Sequence, residues 1–121
     1  MSYLAPVSVI RYVRPMFTDG KLANLGGVTF VFTMDYNVRT VSVQFAICSP
    51  KDNFDKKAGI AHALTTPVRV FNLDLFQAYA DQTGGFVSAY LHIASADVVT
   101  GTLSANERNL LKKMSAQQLV V

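Results

Sequence analysis

The sequence predicts an α+β fold: an antiparallel sheet of four to five strands backed by helices, in a single domain spanning residues 1–121. Three observations lead there. Two runs of alternating apolar and polar residues, 28–34 and 41–47, are joined by the turn formers Asp35-Tyr36-Asn37. Segments with helical spacing and capping residues follow them, as at Asn72 and at Ser104 with Glu107. Finally, 121 residues, half of them apolar or aromatic and 16% charged, suffice for one hydrophobic core.

The first strand is residues 6–13, with Val7, Val9, Arg11 and Val13 on one face and Ser8, Ile10, Tyr12 and Arg14 on the other. Pro15 ends it, and the stretch through Asp19-Gly20 and Asn24 to Gly26-Gly27 has the composition of a loop. The hairpin comes next. Val28, Phe30, Phe32 and Met34 share a face with Val41, Val43, Phe45 and Ile47, while Thr29, Val31, Thr33, Thr40, Ser42, Gln44 and Ala46 take the other. One side of this sheet should cover a core and the other should meet solvent or a ligand.

Ser49-Pro50-Lys51-Asp52 reads as a helix start, because serine caps free amides, proline suits the first turn and an acid complements the positive end. A start at Asp52 with Asp55 in the first turn satisfies the same rules. Phe54, Ala58, Ala61 and Leu64 would then share a stripe, with Gly59 as a weak point. Thr65-Thr66-Pro67 closes this helix, and residues 68–71 form a short fourth strand. A helix over 72–81 is capped by Asn72, carries Leu73, Phe76 and Ala80 on one stripe, and stops before Gly84-Gly85. Residues 86–94 suit either a strand or a buried helix, and the alternation of Val87, Ala89, Leu91 and Ile93 favours a strand. A last helix runs from the Ser104/Glu107 capping box to about Gln117.

Catalytic raw material is thin. His62 and His92 are the available imidazoles, and both read as core or surface residues. Cys48 has no adjacent histidine and reads as an inert core thiol. Ligand clusters with metal-site spacing are missing, Asp52 and Asp55 being more simply helix-start acids, and Gly26-Gly27 lacks a phosphate-cradling framework. The expectation is a binding protein, not an enzyme, with no cofactor. A lone cysteine excludes an internal disulfide and points to a reducing compartment. Since no run approaches the ~20 apolar residues that span a bilayer, no membrane partner is expected.

The net charge of +3 is unevenly placed. Through Asn72, eight cations (Arg11, Arg14, Lys21, Arg39, Lys51, Lys56, Lys57, Arg69) outnumber four acids, giving +4, and the remainder carries −1. An anion-binding surface therefore belongs to the first part. Its centre is the helix start with Lys51, Phe54, Lys56 and Lys57, where free amides, lysines and an aromatic ring suit phosphates and bases. The competing reading is a solvated amphipathic helix with Phe54 in the core. Arg11, Arg39 and Arg69, with Tyr12, Tyr36 and Phe71 as stacking platforms, extend the same pattern, which is the one that single-stranded nucleic acid requires. Tyr36 stands out because a turn rarely buries a ring.

Placed directly after a hairpin, the segment Cys48-Ser49-Pro50-Lys51-Asp52-Asn53-Phe54-Asp55-Lys56-Lys57-Ala58-Gly59 resembles a motif of the single-stranded-DNA-binding RNA polymerase cofactors of podophages that carry a giant virion RNA polymerase. Those proteins are similar in fold to the eukaryotic transcriptional positive cofactor and the plant Whirly family. The resemblance is strong over that dozen residues and elsewhere rests on element order, from which the helical insertion and residues 73–94 depart. It implies single-stranded DNA binding through Lys51, Phe54, Lys56 and Lys57, in support of phage transcription or replication in the host cytoplasm, with a phage RNA polymerase as partner. It also implies a homo-oligomer or cooperative coating, for which the apolar tail Leu119-Val120-Val121 is the matching feature. The alternative is a self-assembling structural or interaction protein of a phage.

Overall fold

In the computed structural model the alternating runs at 28–34 and 41–47 form the centre of an antiparallel sheet, and residues 4–15, 25–101, 103–116 and 119–120 are described. The elements are β1 (Val7–Pro15), β2 (Leu25–Asp35), β3 (Thr40–Asn53), α1 (Lys56–Ala63), β4 (Arg69–Asn72), α2 (Leu73–Thr83), α3 (Phe86–Thr100), α4 (Ala105–Ala116) and the two-residue β5 (Leu119–Val120). The strands lie in the order β4-β3-β2-β1-β5, each antiparallel to its neighbour. The expected α+β domain is therefore present. Its fifth strand is β5, beside Arg14 and Pro15, and not residues 86–94. The loop residues Asp19-Gly20 and Asn24, together with Lys21, Gln117 and Val121, lie outside the described residues.

Register explains the core. Val28 faces Ile47, Phe30 faces Phe45, Phe32 faces Val43 and Met34 faces Val41, so one side of β2 and β3 is continuously apolar. Helices α2, α3 and α4 cover that side with Phe76, Ala80, Val87, Tyr90, Ala94 and Leu110, joined by Leu103 from the link between α3 and α4, all buried. Phe30 meets Tyr90 at a centroid distance of 5.9 Å and Phe32 meets Phe86 at 5.4 Å. Asn72 caps α2 by accepting from the Leu75 amide at 3.0 Å, and Gly84, at φ 94°, ends it in the left-handed conformation. Ser104 and Glu107 form the expected capping box, with Glu107 N donating to Ser104 Oγ at 3.2 Å and Ser104 N donating to Glu107 Oε1 at 3.3 Å.

Residues 86–94 are helical, which corrects the strand expectation. Val87, Tyr90 and Ala94 recur at helical spacing and are buried, while Phe86, Leu91 and Ile93 also pack against the core. A helix wedged between a sheet and two other helices is apolar on most sides, so strand-like alternation appears in it by coincidence.

The second sheet face is less open than its polar residues suggest. Thr29 and Val31 are each 1% exposed because α1 lies across β2 and β3. The helix comes close because Gly59 has no side chain: a Cβ there would sit 2.3 Å from Thr29 Oγ1 and 3.1 Å from Thr29 Cβ. Gln44, also on this face, donates from Nε2 to the carbonyls of Leu64 and Thr66 at 3.3 and 2.9 Å and so receives the end of α1. The stripe expected from Phe54, Ala58, Ala61 and Leu64 is not the buried one, since Ala63 is buried, Gly59 and Ile60 are half-buried, and Ala58, Ala61 and Leu64 are exposed. Backbone proximity, not apolar content, chose the face. Among the described residues no helix is long and apolar enough to cross a membrane.

On the core side Arg69 pairs with Asp97 of α3 and, at 2.8 Å, with Glu107 of α4, tying β4 to both helices. Tyr90 donates its hydroxyl to Glu107 Oε2 at 2.7 Å. Burial opposes ionisation of Glu107, but hydrogen bonds from Tyr90, Arg69 and the Ser104 amide outweigh it and hold the carboxyl below its ordinary range. Burial first, and the bond to Glu107 second, push the Tyr90 hydroxyl far up.

Two outcomes are expected. Gly59→Ala, which at an unobstructed helix position would stabilise by about 1 kcal/mol, should instead destabilise by about 1–3 kcal/mol in urea unfolding, because the new methyl overlaps a buried strand residue. The stability that ionised Glu107 supplies is complete above the ordinary glutamate pKa of about 4.3 and is lost as pH falls through its lower folded-state value. Glu107→Gln should therefore lower the urea midpoint at pH 7 and flatten its decline between about pH 5 and 3.

Candidate functional site

The site begins where β3 leaves regular pairing. Cys48 pairs with Gly27 and Asn53 with Leu25, so residues 49–52 bulge opposite Gly26. Gly26 and Gly27, expected in a loop, lie within β2 at φ 78° and 113°, a conformation that glycine alone adopts cheaply. The expected helix start at Ser49 or Asp52 is corrected: Ser49-Pro50-Lys51-Asp52 is the bulge, and the cap is Asp55, accepting from the Ala58 amide at 2.9 Å. Continued pairing at Asn53 holds the backbone extended past both candidate caps, so Asp55, expected inside the first turn, opens the helix instead. Lys56 and Lys57 thus become its first two residues, and no acid lies in the first turn.

Phe54 is the hinge between bulge and helix. Its ring packs where a Cβ on Gly27 would stand, 2.8 Å from Cδ2, and meets the Tyr12 ring edge-on at 5.8 Å. The Arg14 guanidinium lies 5.0 Å from the centre of the Phe54 ring, and Lys56 Nζ lies 5.0 Å from the centre of Tyr12. Tyr12, Phe54 and Lys56 are thus brought together, with Lys57 adjacent in α1 and Lys51 on the bulge, both exposed. Among the described residues no carboxylate pairs with Lys51, Lys56 or Lys57. Sequence reasoning missed Arg14 as a member. The signal was present, since Arg14 shares a strand face with Tyr12 two positions away.

Other sequence candidates sit elsewhere. Arg11 is exposed but points to the opposite face, its pairing partner being the core residue Phe30. Tyr36 and Arg39 occupy the turn at the far end of the hairpin, separated from Phe54 by the 11 residues of β2, roughly 30 Å of strand. Tyr36 is 38% exposed, as a turn ring should be. Arg39, at φ 56°, pairs with Asp74, whose hydrogen bond and charge raise its pKa further. Arg69 is held by two carboxylates on the core side, with its guanidinium 5.2 Å from the centre of Phe71. Neither arginine shares a surface with the lysines.

Beside Phe54, on the β3 flank of α1, a cleft of about 340 Å³ opens between bulge and helix. Cys48 is half-buried there, which corrects its reading as a core thiol; its Sγ faces the carbonyls of Ser49, Asp52 and Asn53 at 3.6, 3.6 and 3.7 Å. His62 is exposed and also lines the cleft. His92 is exposed on α3, 5.7 Å from the Tyr79 ring. Among the described residues, no three histidine, cysteine or acidic side chains are grouped to hold a metal ion. Comparison of the chain with protein-family models, with curated proteins and with solved structures finds no match.

Proposed function

We propose that the chain is a sequence-tolerant single-stranded DNA-binding protein that holds melted strands during phage transcription or replication. One observation carries this reading: two aromatic rings, Tyr12 and Phe54, each with a cation at 5.0 Å, stand beside a helix start whose lysines meet no carboxylate among the described residues. Cations follow a flexible backbone while rings accept unpaired bases without reading them. Lysines in the first helical turn oppose the macrodipole, so Lys56 and Lys57 cost local stability, which a stability role does not explain. The phage setting, the host cytoplasm, the polymerase partner and cooperative coating as a homo-oligomer rest on the resemblance of residues 48–59 and extend the proposal.

A second reading, a self-assembling phage protein, is supported by apolar exposure around the edge strand β4, where Val68, Val70 and Leu75 are 52%, 56% and 68% exposed.

Titration of fluorescent oligonucleotides across salt concentrations separates the two. Lys56→Ala with Lys57→Ala should weaken single-strand binding and reduce the slope of log K against log salt by about 1.4, at ~0.7 per phosphate contact. Tyr12→Ala should cost about 1–3 kcal/mol of affinity. Arg39→Ala should leave both quantities unchanged. Salt-indifferent binding, or a preference for duplex, would overturn the nucleic-acid reading, and a defined oligomer untouched by the lysine substitutions would favour assembly.

A further inference from the structure

The cleft beside Phe54 has no part in backbone contact, yet it is the size of a small-ligand pocket, about 340 Å³. That volume admits one nucleobase and excludes a duplex. Phe54 belongs both to this cleft and to the Tyr12 cluster, so a strand whose phosphates follow Lys56 and Lys57 passes its mouth. Ala46, Ala58 and Gly59 keep its walls short, and Phe54 supplies an apolar side. Its polar lining includes Ser49 and Asp52 from the bulge, Asn53 where the ladder resumes, and Asp55 and His62 along one flank of α1.

The charge of this lining decides what enters. Two carboxylates repel phosphate, so the cleft is not a continuation of the cationic track. A neutral base faces no such penalty, and carboxylate oxygens accept from N–H groups on its edge. Asp55 spends one oxygen on capping α1, whereas among the described residues no hydrogen bond occupies the side chain of Asp52, Asn53 or His62. Guanine is the base whose Watson–Crick edge offers two adjacent N–H donors, the arrangement a carboxylate accepts in parallel.

We infer that this cleft takes one unpaired guanine from the bound strand, with Asp52 accepting from the base edge and Phe54 against the ring, giving an otherwise sequence-tolerant interface a preference at a single position. The inference rests on the single-strand reading above and deepens it.

The test uses the full chain and fluorescent oligothymidylates that are uniform, carry one central deoxyguanosine, or carry deoxyinosine there, which lacks the 2-amino group. Binding should be about tenfold tighter with guanine than without, and inosine should recover only part of the gain. Ala58→Trp, which fills the cleft from an exposed helix position, should remove the preference and leave binding of the uniform strand intact. Should that variant fold poorly, Asp52→Asn on the exposed bulge should also remove the preference, without weakening binding of the uniform strand. Equal, salt-dependent affinity for all three strands would overturn the inference and leave the proposed function standing. A guanine preference that survives both substitutions would also overturn it. Failure to bind any strand would sink the underlying reading instead.

Discussion

Gly27 and the Phe54 ring approach so closely that a methyl on that glycine would stand 2.8 Å from the ring, and the organisation of the α1 side follows from this contact. Because β2 adopts positive φ at Gly26 and Gly27, β3 is left with surplus residues, which leave the ladder as the bulge at 49–52. The chain returns to pairing at Asn53 and is then pinned by Phe54 against the glycine. From that anchor α1 runs across β2 and β3. The bare Gly59 lets it settle onto Thr29, and Gln44 receives its end. A short helix with a single buried residue, Ala63, has little intrinsic stability and is held by such neighbours.

This anchoring divides the molecule by electrostatic character. Between β4, α3 and α4 the charges are matched: Arg69 faces Asp97 and Glu107, and the Glu107 oxygen that Arg69 reaches, Oε2, also accepts from the Tyr90 hydroxyl. A buried pair of this kind is a positioning device for β4, α3 and α4 more than a net source of stability. At the far turn Arg39 and Asp74 form an exposed pair of small energetic weight. On the α1 side, Arg14 and Lys56 lie over aromatic faces, and Lys56 and Lys57 open the helix. The same bulge that launches α1 also opens the cleft, so the proposed phosphate contacts and the proposed base site would share one structural origin.

Much of the fold was legible in the sequence. The hairpin, its apolar face, the fourth strand, the Asn72 helix and the Ser104/Glu107 box all stand where alternation and capping rules placed them. The site was half legible. Tyr12, Phe54 and Lys56 do come together, but Arg69 and Arg39 were grouped with them only because their partners, Asp97, Glu107 and Asp74, lie 28 to 38 residues away in the chain and were not visible as partners.

What the amino-acid order determined by itself is what depends on neighbours within a few residues: strand alternation, turn positions, caps and the charge bias of the first part. Tertiary structure alone decided three further matters. It moved the helix start from Ser49 or Asp52 to Asp55, because pairing of Asn53 with Leu25 keeps the backbone extended up to that point. It made residues 86–94 a helix, because surroundings that are apolar on most sides erase the difference between two periodicities. And it chose which cations remain without carboxylates, since a charge is neutralised by whatever the fold brings within about 4 Å, a distance in space that spacing along the chain does not encode.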